Sequence, residues 1–316
     1  MRTRYSRGSI LAALLASLSV PSCDDTTSPG GPPEVSTVGR IAFTSTRDGA
    51  EYVYVMNPDG SGLTRLVRGQ DPAWSPDGES IAFGAYDGTS WEIRVIGVDG
   101  SGERRVIGDG AFAPTWSPDG RIAFWREGAI RSVNVDGTDE TVIIDTEALR
   151  TVTGFGATGA ALSIGSPTWS PDGERLAFVG SVDLDWEVVL VVDRDGSNLR
   201  RVPAITEGTS PAWSPDGSWL TYAYGDVIRS VSHDGSTGLR THRLSGRDPD
   251  WSADGTNIVY AALRDSCRPL PETPCVTRIW VGEPDRGRFA RLVPEAENPA
   301  RPIYHDYQAV WSRVRG

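Results

Sequence analysis

Three histidines, His233, His242 and His305, are the only imidazoles in the chain, so any histidine-based proton transfer or metal chemistry must use them. His305 lies in the run Tyr304-His305-Asp306-Tyr307, and a second cluster, Asp183-Leu184-Asp185-Trp186, sets two carboxylates beside an indole. A glycan-active enzyme, lyase or hydrolase, would need such groups to converge as an acid/base pair. A histidine-ligated metal would need more converging ligands than this chain offers, so neither metal nor cofactor is expected. His233 falls in a hairpin-turn sequence, Ser-His-Asp-Gly-Ser, and the histidines read as surface residues. No Gly-x-Ser-x-Gly nucleophile elbow occurs. With no catalytic residue assignable, the chain reads first as a binding protein, with the glycan-active enzyme as the alternative.

The repeated carboxylates have a simpler explanation than chemistry. Asp77, Asp119, Asp172 and Asp216 each belong to a copy of Trp-Ser-Pro-Asp-Gly, and Asp254 to the variant Trp-Ser-Ala-Asp-Gly. Ser-Pro-Asp-Gly suits a type I turn: proline presets φ, serine and aspartate bond the local backbone, and glycine accepts positive φ. The tryptophans of the motif are Trp74, Trp116, Trp169, Trp213 and Trp251, with a truncated copy at Trp311. Recurrence at one repeat position argues for packing, not for sugar stacking.

After each turn comes a short apolar strand, beginning at Ile81, Ile122, Leu176, Leu220 and Ile258, and a sixth, at Ile41, precedes every Trp-Ser copy. Further apolar runs, such as Tyr52 to Met56, Ile93 to Val98 and Val188 to Val192, lead into Asp-Gly hairpin signals. Each repeat therefore holds four antiparallel strands. From Ile41 to Ser312 there are 272 residues, about 45 for each of six repeats, the size of a four-stranded propeller blade. The expected fold is all-β, a six-bladed β-propeller occupying 39–316. Because the chain enters on a second strand and leaves on a first strand, its N- and C-terminal strands are expected to clasp within one blade.

These Trp-Ser-Pro-Asp-Gly-x-x-Ile-Ala-Phe repeats resemble those of the TolB-type, WD-like β-propeller family, across nearly the whole expected mature chain. The resemblance implies a propeller of the cell envelope. The family's namesake carries an additional N-terminal α/β domain, for which residues 23–38 leave no room, so its role in the Tol-Pal system does not carry over whole.

The first 22 residues, with Arg2, Arg4 and Arg7 before an apolar run from Ile10 to Val20, read as a secretory signal. That run is too short to span a bilayer. Val20, Ser22 and Cys23 match a bacterial lipobox, which predicts lipid attachment at Cys23 and a protein held at the envelope, facing the periplasm or exterior. Residues 23–38, rich in Pro, Gly, Ser and Thr, read as a flexible tether. In an exported chain, Cys267 and Cys275 bracketing seven residues read as a local disulfide, contributing roughly 2 to 3 kcal/mol.

All 31 basic residues are arginine, against 42 carboxylates. Without the first 22 residues the net charge falls from −11 to −14. Such a surface repels phosphate backbones and excludes nucleic acid as the expected partner. A protein or peptide partner fits better, with the lipid as the only membrane contact and the chain acting as a monomer.

A propeller of this pattern has two unlike rims. Short uniform turns occupy one, and loops of irregular length occupy the other, where recognition residues usually sit. The candidate binding rim comprises Arg47 and Asp48, Tyr86 and Asp87, Arg126 and Glu127, Asp183, Asp185 and Trp186, Tyr224, Arg264, and Tyr304 to Tyr307 with His305 and Asp306. Residues 145 to 166 are expected as a long Gly/Ala-rich loop. Just before the innermost strands the ring presents Asp71, Ala113, Ser166, Ser210, Asp248 and Gln308, and the two aspartates suggest an acidic arc suited to a cation or a basic peptide end.

Overall fold

The second strand of each repeat is buried on both faces: Ile41, Ala42 and Phe43, and their counterparts through Ile258, Val259 and Tyr260, are all buried, and all are apolar at these positions except Thr221, whose hydroxyl accepts from Trp251 Nε1. A strand of that kind must be covered from two sides. The computed structural model describes residues 31–153, 162–182, 186–202, 205, 207–236, 238–263, 277–292 and 305–314, and within them six four-stranded antiparallel sheets meet the requirement by packing face to face as propeller blades.

Blade 1 contains β1 (Ile41–Ser45), β2 (Tyr52–Met56) and β3 (Thr64–Arg68). Blade 2 is β4 (Gln70–Trp74), β5 (Ser80–Tyr86), β6 (Trp91–Gly97) and β7 (Arg104–Ile107), and blade 3 is β8 (Phe112–Trp116), β9 (Arg121–Arg126), β10 (Ala129–Asn134) and β11 (Thr141–Asp145). A helix, α1 (Thr146–Thr153), precedes blade 4, formed by β12 (Leu162–Trp169), β13 (Arg175–Val182), β14 (Trp186–Asp193) and β15 (Arg200–Arg201). Blade 5 is β16 (Thr209–Trp213), β17 (Trp219–Tyr224), β18 (Val227–Ser232) and β19 (Arg240–Ser245). Blade 6 is β20 (Arg247–Trp251), β21 (Ile258–Leu263), β22 (Thr277–Gly282) and β23 (Phe289–Arg291). The last strand, β24 (Asp306–Trp311), pairs antiparallel with β1 and supplies the inner strand of blade 1.

The tryptophans build the interfaces. A small residue on one blade receives the large residues of the next: Ala42 meets Trp74, Ile81 and Phe83, and Ala177 meets Trp213, Leu220 and Tyr222. One apolar cluster fills each of the six interfaces, including that of blade 6 with blade 1, where Val259, Ile279 and Val281 pack on Phe43, Met56 and Trp311. Several indoles also reach across with a hydrogen bond: Trp74 Nε1 donates to the Val310 carbonyl at 3.2 Å, and Trp213 Nε1 to that of Thr168 at 3.2 Å.

The turn motif behaves as its chemistry dictates. In the first copy Ser75 Oγ donates to Asp77 Oδ1, Ser80 N donates to Ser75 Oγ at 2.9 Å, and Gly78, at φ +69°, donates its N–H to the Ser75 carbonyl at 2.9 Å. The same serine–aspartate bond recurs at Ser117, Ser170, Ser214 and Ser252. The Oδ1 atoms of these aspartates are engaged by their own turns, while Asp119 Oδ2 also accepts from Arg194 and Asp254 Oδ2 from Ser36 Oγ.

Three expectations need correction. The segment from 145 opens with α1 instead of loop: Asp145 Oδ1 accepts the Ala148 N–H at 2.9 Å as an N-cap, and Leu149 is buried against blade 4. The tether does not run free to residue 38, because Glu34, Ser36 and Val38 bond to blades 6 and 1. His242 is not a surface residue: it is 6% exposed, hydrogen-bonded to Ser230 Oγ at 2.7 Å and to the Pro284 carbonyl at 3.1 Å.

Removing one repeat indole leaves a cavity at a blade interface. Trp213→Ala is expected to cost about 3–5 kcal/mol, read as a lowered denaturation midpoint with an unchanged far-ultraviolet spectrum below it; a cost under about 1 kcal/mol would contradict the interface role.

Candidate binding site at the channel mouth

A four-stranded blade has two edges, and in each blade the inner edge strand faces a central cavity of about 510 Å³. Proline is tolerated on an edge strand, where its missing N–H leaves no ladder bond unmade. Five of the six inner strands carry it at the same place, at Pro72, Pro114, Pro167, Pro211 and Pro249; the sixth has Ala309.

The residue before each of these is the distinctive one. Asp71, Ala113, Ser166, Ser210, Asp248 and Gln308 all have φ between +50° and +53°. The strand register shifts at the same point, from Gln70 to Ala73 in blade 2 and from Arg247 to Asp250 in blade 6, so each inner strand bulges where it meets the mouth. For residues other than glycine this backbone costs on the order of 1–3 kcal/mol, and it persists where surrounding contacts hold it. At Asp71 those contacts are visible: its N–H donates to Thr44 Oγ1 at 3.2 Å and to Gln308 Oε1 at 3.3 Å. The backbone turns each mouth residue out of the strand path.

The polar mouth residues pair in neighbouring blades. Gln308 Nε2 donates to Asp71 Oδ1, Gln70 Nε2 to Asp71 Oδ2 at 3.3 Å, and Ser210 Oγ to Asp248 Oδ1 at 2.7 Å. Burial pushes the Asp71 carboxyl up to about 6, opposed by the Gln70 amide and reinforced by the negative charge of Asp248. Deeper in the cavity, burial raises Asp250, which accepts the Trp311 N–H at 2.7 Å; Arg313 opposes the rise from 3.6 Å. Arg313 Nη2 also donates to the Trp213 carbonyl at 3.2 Å, laying its guanidinium between blades 6 and 5.

Of the candidate rim residues, several are committed to the frame. Asp306 is fully buried; its Oδ1 accepts Ser45 Oγ at 2.6 Å and Arg47 Nη2 at 2.8 Å, which fastens β24 to the end of β1. Arg47 lies over the rings of Phe43 and Tyr54. Asp48 accepts the Tyr54 hydroxyl and Arg65 Nη1, and the Tyr54 bond leads in holding its carboxyl below the usual range. His305 donates its backbone N–H to Thr46 Oγ1 at 2.9 Å and accepts at Nδ1 from Thr277 N–H at 3.3 Å, so it bridges blades 1 and 6. Tyr307 donates its hydroxyl to Glu51. Arg126 pairs with Glu140, Glu127 occupies a two-residue turn with Gly128 in which both φ are positive, and Arg229 lies 3.9 Å over the Tyr224 ring.

The candidates Tyr86, Asp87 and Glu127 are exposed to solvent on the irregular rim. Tyr86 is 58% exposed and tilts against Trp91 with centroids 5.6 Å apart. Asp87 is exposed and held down to about 2, chiefly by the Thr89 hydroxyl. Cys23, Asp183, Asp185, Arg264, Cys267, Cys275 and Tyr304 lie outside the described residues, as does the side chain of Trp186. Among the described residues no group of three or more His, Cys, Asp or Glu side chains is placed to hold a metal ion, and no helix is long and apolar enough to cross a membrane.

No family model matches the chain. A TolB homolog of Chlorobium luteolum is 26% identical over 147 residues, 45% of this chain and 31% of that protein. The chain spans half or less of the length of the curated relatives it matches. Among solved structures, TolB from Acinetobacter baumannii superposes with a TM-score of 0.66 at 17% identity, covering 90% of this chain and 68% of that one. An oligogalacturonate lyase from Vibrio parahaemolyticus superposes with a TM-score of 0.51 at 15% identity, covering 82% of this chain and 76% of that one. At these identities the likeness shows the fold alone.

Two predictions separate frame from mouth. Asp306→Ala, which leaves Arg47 without its buried partner, is expected to cost about 3–5 kcal/mol in chemical denaturation, whereas Asp87→Ala at the exposed loop should stay within about 0.5 kcal/mol. For Asp71, whose folded pKa of about 6 lies above that of an unfolded aspartate, the folded state holds the extra proton between the two values. Stability from this group is therefore present at low pH and lost as pH rises through about 6. Asp71→Asn should gain on the parent chain as pH is raised from about 4 to 6 and hold a constant advantage above that; a pH-independent difference would contradict the assignment.

Proposed function

We propose that this chain is an envelope-anchored β-propeller that binds a protein or peptide partner through its irregular-loop rim, at the mouth of the central cavity. The observation that carries the reading is the contrast between the two ends of the inner strands. At one end the turn aspartates satisfy their own backbones. At the other, six residues are forced out of the strand path, and they present Asp71, Asp248, Gln308 and Ser210 around the mouth.

A strained, polar ring above a cavity of about 510 Å³ has the dimensions of a ligand site. The Asp71 carboxyl, within electrostatic reach of Asp248 across the mouth, favours a cationic group, such as a basic side chain or an amino terminus. The similarity to TolB homologs, one of them a Tol-Pal system protein of Gluconobacter oxydans, supports a binding module. Of the residues offered to the glycan-active alternative, Asp306 is fully buried against Ser45 and Arg47. Attachment through a lipid on Cys23 completes the proposal and rests on the sequence of the first 23 residues.

An affinity pull-down from detergent-solubilised envelopes tests it, run with the parent chain, with Asp71→Asn/Asp248→Asn, and with the turn variant Asp99→Asn as control. The expected result is a stoichiometric partner retained by the parent and the control and lost from the double variant. Equal capture by all three, or turnover of a glycan substrate by the parent, would overturn the reading. Mass spectrometry of the mature amino terminus checks the anchor: a diacylglyceryl adduct on Cys23 is expected, and an unmodified start beyond residue 23 would refute it.

A further inference from the structure

Upstream of β1 the chain crosses the rim of blade 6 from its perimeter inward. Glu34 N–H donates to Glu283 Oε1 at 2.7 Å, in the turn after β22. Ser36 N–H then donates to Asn257 Oδ1 at 2.8 Å, Ser36 Oγ to Asp254 Oδ2 at 2.7 Å, and Asn257 Nδ2 returns a bond to the Glu34 carbonyl at 3.1 Å. The Val38 carbonyl accepts Trp311 Nε1 at 2.7 Å, where the chain enters blade 1. Ser36 and Asn257 are buried, and Val35 packs on the cluster between blades 6 and 1. Asp254, Asn257 and Glu283 all belong to the short-turn end of blade 6, opposite the mouth residues.

We infer that residues 34–38 form a strap that fixes which face of the propeller looks toward its point of attachment: the uniform-turn rim faces the attached surface, and the irregular-loop rim with the cavity mouth faces away. The inference rests on the envelope-attachment reading and adds an orientation to it. Five hydrogen bonds over five residues leave the chain departing at Glu34 from the perimeter of the uniform-turn rim. From residue 23 to Glu34 the contour is at most roughly 40 Å. The blades, whose three inner strands have five to eight residues, are roughly 17–26 Å tall. To present the opposite rim to the surface, the segment would have to climb the outside of blade 6, whose inner strands of five and six residues stand roughly 17–20 Å tall, using about half its reach. Charge does not supply the orientation, because the surface-facing turns carry ionised aspartates, including Asp77, Asp99 and Asp195, each held down by its own serine. The partner that fits is a protein approaching from the aqueous side, not one embedded in the surface that holds the chain.

The test separates orientation from both lipidation and partner binding. Residues 1–22 are replaced by a hexahistidine tag, which retains every described residue, and the protein is held on nickel-chelating vesicles containing headgroup spin-labelled lipid. An unfolding temperature equal to that of the full chain is established first. A fluorophore is installed through an unnatural amino acid at position 99, on the uniform-turn rim, or at position 86, on the irregular rim. The expected result is quenching at 99 several-fold above that at 86, with the difference lost when Asn257→Ala and Glu283→Ala release the strap. Equal quenching at the two positions, or stronger quenching at 86, would overturn the orientation. Neither outcome depends on whether Cys23 is acylated or which partner is bound.

Discussion

A β-sheet that is apolar on both faces has no stable exposure to water, and that constraint organises the molecule. The second strands, with Phe43, Phe83, Phe124 and Phe178 fully buried, need a covering sheet on each side. A linear stack of blades would leave two faces bare at its ends. A ring leaves none, and the interface of blades 6 and 1, filled by Phe43, Met56, Val259 and Trp311, is packed like the others. Each interface works by size alternation, an alanine or other small residue on one side taking the next blade's tryptophan and aromatic residue. Burial of this order, at roughly 25 cal/mol per Å², makes the interfaces the main source of cohesion and the tryptophans its most costly losses.

The ring in turn dictates where polar groups can be put to use. At the uniform-turn end, serine and aspartate side chains close on their own backbones, and the rim carries the strap and Arg313. At the opposite end the inner strands must stop short of converging, and they do so through bulges at positive φ. Strain is thus concentrated around the cavity mouth, where Asp71 sits in surroundings that raise its pKa. That combination is common at binding and catalytic positions and absent from the turn motifs that dominate the sequence.

Repetition made the frame readable from sequence. Four full copies of one motif, with glycine and proline at fixed offsets, and a variant and a truncated copy beside them, specify turn type, strand order and blade count, because each signal is local and is repeated. The site was only half legible. The six mouth positions could be found by their offset from each tryptophan, and Asp71 and Asp248 stood out as acidic. The positive φ could not, because residues preceding proline favour extended backbone, and the ring contacts that override this are non-local. A repeated x-Pro three residues before tryptophan was the available signal. Which rim residues also hold the frame was hidden for a related reason: nothing in the sequence shows that Asp306 reaches Arg47 or that His305 reaches Thr277, since those partners are separated by hundreds and tens of residues respectively. His242 was taken for surface because a histidine in a polar strand, Arg-Thr-His-Arg, gives no sign of the Ser230 and Pro284 groups that bury it.

The central claim is that recognition belongs to the irregular rim and the cavity mouth, while the conspicuous repeats only build the ring. Hydrogen exchange of the chain with and without its captured partner measures this most directly. The account predicts slowed exchange confined to the mouth and irregular-rim segments, around residues 69–71, 87–90, 108–113 and 246–248. Protection falling instead on the Ser-Pro-Asp-Gly turns, around residues 75–79, 117–120 and 214–218, would contradict it.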